Sequence, residues 1–487
     1  MIQSEYGLAQ SVRLNKTEVK VRVETAFADL EEVKKPISVF ASAHLISVTP
    51  NGESVNAKAK VTFTFVYLSE DGYKKAVLDA DASADILSKD CTVSVRASDV
   101  KLVMQNGYNA VCNLIFVGES RAISQKNVLI GGENLFVKKV EEKCDVYYGN
   151  KFGQQTVSEE FEVDFTIGEV LYYGATPYLT SVTSGLGRII LEGEILLTVK
   201  ALPFSENNDI VKESKVIPFR YELECDDCLS DMRSFARVEV LSTNVKIYAD
   251  EGRQKSSINA DITLSFSGCS VGEENVGVVL DAYSKLYDCE VVTEKIAFRT
   301  FKEQKRFKEK VVGSGCVAPL GGRILSTLGE SVTVLSVKKV EERYTVEGFI
   351  KTDVIFKNAD NGITSMPCET PFAFEFVEDG DVDLVNVKLT ELVARIKNGE
   401  VEIEGYLRVC YNAYNIAERS CAVEVNEIGE RKNLGGAISV CIAKKNDDLW
   451  EVAKTLGATE EEIERFNPDL EFPLQKEERI ILYKQKI

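Results

Sequence analysis

Alternating apolar and polar positions dominate most of this chain, and three of the alternating stretches align with one another. They are Val55–Phe65, Ile189–Val199 and Tyr344–Val354. A period of two with β-branched and aromatic residues indicates strands that bury one face. Ala59, Gly193 and Gly348 occupy the same position in the three stretches. The pattern therefore predicts three tandem copies of one β-rich unit.

A second spacing repeats downstream of each stretch. An apolar residue is followed five residues later by another, and seven residues after that by a glycine. The three sets are Val95, Val100 and Gly107, then Val240, Val245 and Gly252, then Val387, Leu392 and Gly399. Because alternation resumes after each glycine, we expect a hairpin turn there. We place antiparallel, sandwich-like or barrel-like units at 1–135 (the divergent copy), 136–295 and 296–432.

The pattern changes at the C-terminal end, where residues 437–487 predict a small strand–helix–helix–strand domain. Apolar runs of strand length occupy Ile438–Ile442 and Arg479–Tyr483. The intervening helices carry their own start and stop signals. Asp448 with Glu451 and Thr459 with Glu462 are spaced as capping boxes, Gly457 can end the first helix, and Pro468 stops the second. The fold class predicted for the whole chain is thus mainly β with one small βααβ domain.

Composition narrows the classes of partner. The chain has 487 residues and a formal net charge of −19. Nucleic acids and anionic membranes attract basic surfaces, so neither is an expected partner. No run of about 18 apolar residues is present, so no transmembrane helix is expected. Residues 1–20 lack the apolar core of a secretory signal, and we therefore expect a cytoplasmic protein.

The twelve cysteines are scattered, and several lie inside predicted strands, as Cys112 and Cys410 do. This distribution favours buried, reduced thiols over a disulfide framework. Cys225 and Cys228 form a single C-x-x-C without the further ligands that a structural zinc site requires. We interpret them as ordinary thiols in a loop.

Candidate catalytic chemistry is sparse. His44 is the only histidine, and no nucleophile elbow accompanies it, so a structural or surface role is the better interpretation. The chain has no Walker A motif, and its paired carboxylates fit solvated charge runs. We therefore expect no enzyme activity, no cofactor and no metal. Trp450, the only tryptophan, either packs in the core of the small domain or anchors an interface.

The C-terminal residues resemble a LysM domain. The resemblance rests on Asn446–Trp450 and on Asn467 with Pro468. The chain departs from the family pattern at Asn446 and Asp448, and it lacks a glycine in Pro473–Gln475. These loops form the glycan groove in ordinary members, so the resemblance implies a protein-docking groove in place of a sugar site. The groove residues that it implies are Asp447, Asp448, Leu449, Trp450, Asn467, Phe472 and Pro473.

The preceding units resemble the SPOCS domains of bacterial spore coat proteins. The resemblance rests on Glu192-Gly193 and Glu347-Gly348, on the Pro-Phe pairs at Pro218 and Pro371, and on Asp281-Ala-Tyr-Ser284. The first unit lacks the glycine and the Pro-Phe pair. SPOCS repeats followed by a LysM domain are typical of clostridial coat morphogenetic scaffolds.

The combined resemblance implies a scaffold in the mother-cell cytoplasm at the forespore surface. Its implied partner is the coat morphogenetic ATPase, docked by the LysM-like domain, with other coat proteins as further partners. The alternative is a peptidoglycan-binding cell-wall protein, which the LysM resemblance supports and the altered groove loops disfavour.

Overall fold

A computed structural model describes residues 2–28, 30, 32–88, 91–204, 209–250, 254–431 and 438–483. These residues form twenty strands and two short helices, so the prediction of a mainly β protein is confirmed. All paired strands are antiparallel. The two helices have eight and seven residues, and no helix within the described residues is long and apolar enough to cross a membrane.

The first eighteen strands fall into three successive sets of six, which we call unit 1, unit 2 and unit 3. Unit 1 contains β1 (Gln3–Phe27), β2 (Lys35–Asn51), β3 (Ser54–Ser69), β4 (Gly72–Ile86), β5 (Thr92–Met104) and β6 (Tyr108–Glu133). Unit 2 contains β7 (Phe136–Val163), β8 (Ile167–Gly185), β9 (Arg188–Pro203), β10 (Val211–Glu224), β11 (Arg233–Asp250) and β12 (Lys255–Tyr283). Unit 3 contains β13 (Tyr287–Val317), β14 (Arg323–Val340), β15 (Arg343–Lys357), β16 (Ile363–Val377), β17 (Asp381–Lys397) and β18 (Glu400–Glu430).

Each unit has the same strand order. The second, third and fourth strands form one three-stranded sheet, and the first, sixth and fifth strands form the other. Apolar side chains from both sheets fill the space between them. The three aligned stretches of the sequence are the central strands β3, β9 and β15, as their alternation predicts. β13 begins at Tyr287, so the predicted boundary between 295 and 296 lies within that strand.

The Glu-Gly and Pro-Phe signatures face each other across neighbouring strands. Phe219 pairs with Gly193 in unit 2, and Phe372 pairs with Gly348 in unit 3. A Cβ added at Gly193 would lie 2.4 Å from the Phe219 ring, and one at Gly348 would lie 2.7 Å from the Phe372 ring. The aromatic ring therefore covers the space that the glycine leaves open. In unit 1 the corresponding pair is Ala59 with Ala82, which explains why both signatures are missing together.

Two of the three predicted glycine turns are confirmed. Three residues, 105–107, join β5 to β6, and two residues, Asn398 and Gly399, join β17 to β18. Asn106, Gly107, Asn398 and Gly399 have positive φ, which asparagine and glycine tolerate in tight hairpin turns. The third predicted turn, at Gly252, lies outside the described residues.

The first and sixth strands of each unit extend past its sheets as a two-stranded ribbon. The ribbons are 3–15 with 120–133 in unit 1, 136–146 with 272–283 in unit 2, and 287–300 with 415–430 in unit 3. The ribbons pack against one another and share two apolar clusters. The first contains Val128, Val278 and Cys421, and the second contains the next residues along, Leu129, Val279 and Ala422. A third shared cluster joins the other sheets of the three units. The units are thus held together by apolar burial.

The C-terminal domain, which we call the module, consists of β19 (Ile438–Ala443), α1 (Leu449–Leu456), α2 (Glu460–Phe466) and β20 (Glu478–Tyr483). This order confirms the predicted strand–helix–helix–strand arrangement. Gly457 ends α1 in the left-handed conformation, with φ of 66°. Thr459 and Glu462 form the predicted capping box at the start of α2. The module core contains Ala453, Ile463 and Ile480.

Candidate functional site

The module rests with α1 against the ribbon of unit 2. Asp448, the residue that precedes α1, accepts a hydrogen bond from the Glu451 N–H at 2.8 Å, as an N-cap does. Its other oxygen lies 2.7 Å from the Lys138 Nζ of the ribbon. Burial opposes ionisation of this carboxyl, but the Lys138 ammonium and the Glu451 N–H outweigh it and lower the pKa of Asp448. Asp448 therefore both starts the helix and ties it to unit 2.

Trp450 lies directly between the module and unit 2. Only 6% of its surface is exposed. Its ring packs edge-on against Tyr283 with 4.9 Å between centroids, and its Nε1–H donates to Asp281 Oδ2 at 2.8 Å. Lys454, one turn further along α1, lies 2.8 and 2.7 Å from the two oxygens of the same carboxylate. Trp450 is therefore both a core residue of the module and an anchor of an internal interface.

Further polar contacts surround this anchor. The Tyr283 hydroxyl donates to the Ala458 carbonyl at 2.6 Å, and Lys285 Nζ lies 2.7 Å from the Glu462 carboxylate. Arg431 donates to the carbonyls of Lys454 and Thr455 at the end of α1, at 2.9 and 2.7 Å. A cation at a helix C-terminus is favourable because free carbonyls concentrate partial negative charge there. We call the surface formed by Phe136, Lys138, Asp281, Tyr283 and Lys285 the seat.

Asn467 and Leu449 have structural roles inside the module. The Asn467 side chain is buried and donates to the carbonyls of Ile463 and Ile481 at 2.8 and 2.9 Å. It also accepts from the Ile481 N–H at 2.9 Å, so one amide joins the end of α2 to β20. Leu449 is half-buried and packs against the module core. Both residues thus support the shape of the module.

The remaining predicted residues lie along two bonded loops at the surface. Asp447 accepts from the Lys444 N–H at 2.8 Å, and its carbonyl accepts from the Leu474 N–H at 3.1 Å. The Asn446 N–H donates to the Leu474 carbonyl at 2.8 Å. Pro473 is exposed and Phe472 is half-buried beside it. We call the paired loops, residues 444–447 and 471–476, the loop edge.

The predicted groove residues are therefore divided. Asp448 and Trp450 face the seat, Leu449 and Asn467 support the module, and Asp447, Phe472 and Pro473 lie on the loop edge. The seat residues are missing from the predicted set. Their signal in the sequence is the motif Asp281-Ala-Tyr-Ser284, whose partner Trp450 lies 169 residues away.

The other candidate residues lie away from the module. His44 is half-buried between unit 1 and unit 2, with Nδ1 3.3 Å from the Val240 carbonyl, and burial lowers its pKa. Cys225 and Cys228 are buried, and Cys228 Sγ lies 3.3 Å from Ser270 Oγ. Burial raises the pKa of Cys225. Within the described residues, no group of three or more histidine, cysteine, aspartate or glutamate side chains is arranged to hold a metal.

A cleft of about 1390 Å³ lies where the three units meet. Its walls carry both signs of charge, including Lys60 and Lys75 from unit 1 and Asp353 from unit 3. Beside it Lys200, 1% exposed in unit 2, forms an ion pair with Glu330 of unit 3 and donates to the Thr327 carbonyl at 2.7 Å. This pair ties the two units together at the edge of the cleft.

Comparison of the chain with protein-family models, with curated proteins and with solved structures returned no match.

Proposed function

We propose that this chain is a non-enzymatic scaffold of spore coat assembly, built from three SPOCS-like units and a LysM-like module. In this proposal it works in the mother-cell cytoplasm at the forespore surface, and the module docks the coat morphogenetic ATPase. The motifs that resemble the two families support the proposal. The observation that carries it is the seat, which holds one small module in a defined orientation on a body of three similar units.

A scaffold needs several faces that keep a fixed relation to each other. The shared apolar clusters hold the three units together, and the ion pairs of the seat hold the module against unit 2. A partner bound to the module is then kept close to whatever binds the units. Such linkage raises effective concentration without any new contact. This supports a role in assembling a shell at a surface.

The loop edge is the part of the predicted groove that remains available to a partner. Asp448 and Trp450 are engaged by Lys138 and Asp281, whereas Glu471 and Pro473 are exposed. A charge reversal at Asp448 would remove both a helix cap and an ion pair, so it would confound binding with folding. Glu471→Lys changes the loop edge alone.

The test is capture of the purified ATPase by the full chain. Glu471→Lys should weaken capture, while Glu464→Lys, the same change at an exposed position of α2, should leave it intact. Trp450 emission confirms that the module of each variant is folded and seated. Equal capture by both variants would refute the loop edge as the binding site for the ATPase. Failure of the unvaried chain to bind the ATPase would refute the proposed partner.

The alternative function has its own assay. A peptidoglycan-binding protein should sediment with purified sacculi in a saturable manner. We expect the unvaried chain to remain in the supernatant. Saturable sedimentation that Glu471→Lys abolishes would favour the cell-wall function.

A further inference from the structure

The strand β19 has the opposite pattern from an ordinary half-buried strand. Its outward positions carry large apolar side chains, with Ile438, Val440 and Ile442 exposed by 53%, 56% and 63%. Its other positions are the smaller Ser439, Cys441 and Ala443. A strand on a solvated surface normally directs its polar residues outward. This inversion marks the outer face of the strand as a surface that binds something.

The neighbouring strand β20 extends the same surface. Tyr483 is paired with Ile438, and Ile481 is paired with Val440, so both lie on the outer face of the sheet. Directly paired residues of antiparallel strands share a face. Tyr483 is 51% exposed and Ile481 is half-buried. We call Ile438, Val440, Ile442, Ile481 and Tyr483 the sheet face.

The ends of the sheet face are basic. At one end, Arg479 is paired with Ile442, and Lys444 lies two residues after Ile442. At the other end the Phe466 ring packs on Tyr483, and the Arg465 guanidinium lies 4.4 Å from the centre of the Phe466 ring. Among the described residues, Lys444, Arg465 and Arg479 form no ion pair.

This basic rim is unexpected in an acidic module. Residues 438–483 contain four lysines and two arginines against three aspartates and eight glutamates, a balance of −5. Among the described residues none of those carboxylates forms an ion pair with a rim side chain, although Asp447 accepts a hydrogen bond from the backbone N–H of Lys444. Unpaired cations around an apolar surface complement a partner that has carboxylates around an apolar stripe.

We propose that the sheet face binds an amphipathic helix of a partner protein, with aspartates or glutamates flanking the apolar stripe of that helix. Six residues of strand span about 20 Å, which matches about 13 residues of helix at 1.5 Å each. The sheet face meets the loop edge at Lys444, so one partner can cover both. The assignment rests on the proposed function, since the partner it names is the coat ATPase.

A second copy of the chain is a poorer fit to the same surface. Two identical sheet faces related by a twofold axis would bring Lys444, Arg465 and Arg479 of one copy close to those of the other. Like charges brought together at an interface rim oppose association. The charge pattern therefore favours a different, acidic partner.

The experiment compares two valine-to-glutamate variants of the full chain in titrations with the purified ATPase. Val440→Glu places a carboxylate on the sheet face, whereas Val312→Glu makes the same change at a position of β13 that is 52% exposed. We expect at least a tenfold weaker Kd for Val440→Glu and an unchanged Kd for Val312→Glu. Arg479→Glu should also weaken binding and should flatten its dependence on salt. Trp450 emission controls for seating of the module.

The outcomes separate this inference from the proposed function. Equal binding by the unvaried chain and Val440→Glu would overturn the sheet-face assignment and leave the proposed function intact. Absence of binding by the unvaried chain would overturn both. A concentration-dependent dimer of the unvaried chain that Val440→Glu abolishes in sedimentation velocity would assign the face to a second copy and overturn the inference.

Discussion

Removal of the Asp281 carboxylate should release the module from unit 2. This carboxylate accepts the Trp450 indole N–H at 2.8 Å and pairs with Lys454 at 2.7 Å. Both partners lie on α1, so one substitution removes two contacts between the module and its seat. Asp281→Ala adds no bulk and leaves the ribbon pairing of β12 unchanged.

The magnitude follows from the burial of each contact. A hydrogen bond to a charged group contributes about 1.5–3 kcal/mol when it is shielded, as the nearly buried indole shields this one. The Lys454 ion pair is partly exposed and adds at most about 1 kcal/mol. The sum of about 1.5–4 kcal/mol corresponds to a loss of about 10-fold to 700-fold in the ratio of seated to released module, at about 1.4 kcal/mol per tenfold.

Trp450 reports this change directly because it is the only tryptophan of the chain. Release would expose the indole to water, so Asp281→Ala should shift its emission to longer wavelength and increase its quenching by acrylamide. Asp281→Asn keeps an oxygen acceptor but loses the charge that attracts Lys454, and its effect should be smaller. Glu290→Ala, at an exposed position of β13, is the control. Unchanged emission and quenching in Asp281→Ala would refute the role of the Asp281 carboxylate in holding the module on the seat.

Three further predictions concern stability. A Cβ at Gly348 would lie 2.2 Å from a backbone oxygen, so Gly348→Ala should lower the urea midpoint by the equivalent of about 1–3 kcal/mol, whereas Gly277→Ala, with open space around it, should be nearly neutral. Lys200→Met leaves a largely buried carboxylate without its partner and should cost about 3–5 kcal/mol in urea unfolding. Lys60→Met breaks an exposed pair and should leave the urea midpoint nearly unchanged. Burial raises the pKa of Asp383 to about 6, so the protonated carboxyl stabilises the folded state. The contribution of this group to the unfolding free energy therefore falls as pH rises from about 4 to about 6. Asp383→Asn should remove that slope from urea midpoints measured across this range.

The helices of the module could be predicted because their signals are local. Thr459 and Glu462 are three residues apart, and their capping box forms wherever that segment is helical. The seat could not be predicted in the same way. Asp281 and Trp450 are 169 residues apart, and no local periodicity links them. The motif at Asp281 was visible, but its contact depends on how unit 2 and the module pack.

The sheet face, like the seat, depends on packing between distant residues and not on a local signal. The apolar run Ile438–Ile442 correctly predicts a strand. A continuous run, however, does not say which of its two faces is buried. The core uses the small residue Ala443 and leaves Val440 outside, and only the packing of α1 and α2 decides that. The glycine and Pro-Phe signatures were likewise visible as patterns, while their pairing across strands required the register.

The chain repeats its ribbon three times, but only the ribbon of unit 2 binds the module. Leu129, Val279 and Ala422 occupy the same apolar position in the three ribbons. Two residues later the chain has Gly131 in unit 1, Asp281 in unit 2 and Glu424 in unit 3. Neither glycine nor the longer glutamate reproduces the short carboxylate that holds Trp450. Each chain therefore carries one module in one place, and an array of such chains would have an intrinsic polarity. The number of partners bound through the module would then equal the number of chains and not the number of units.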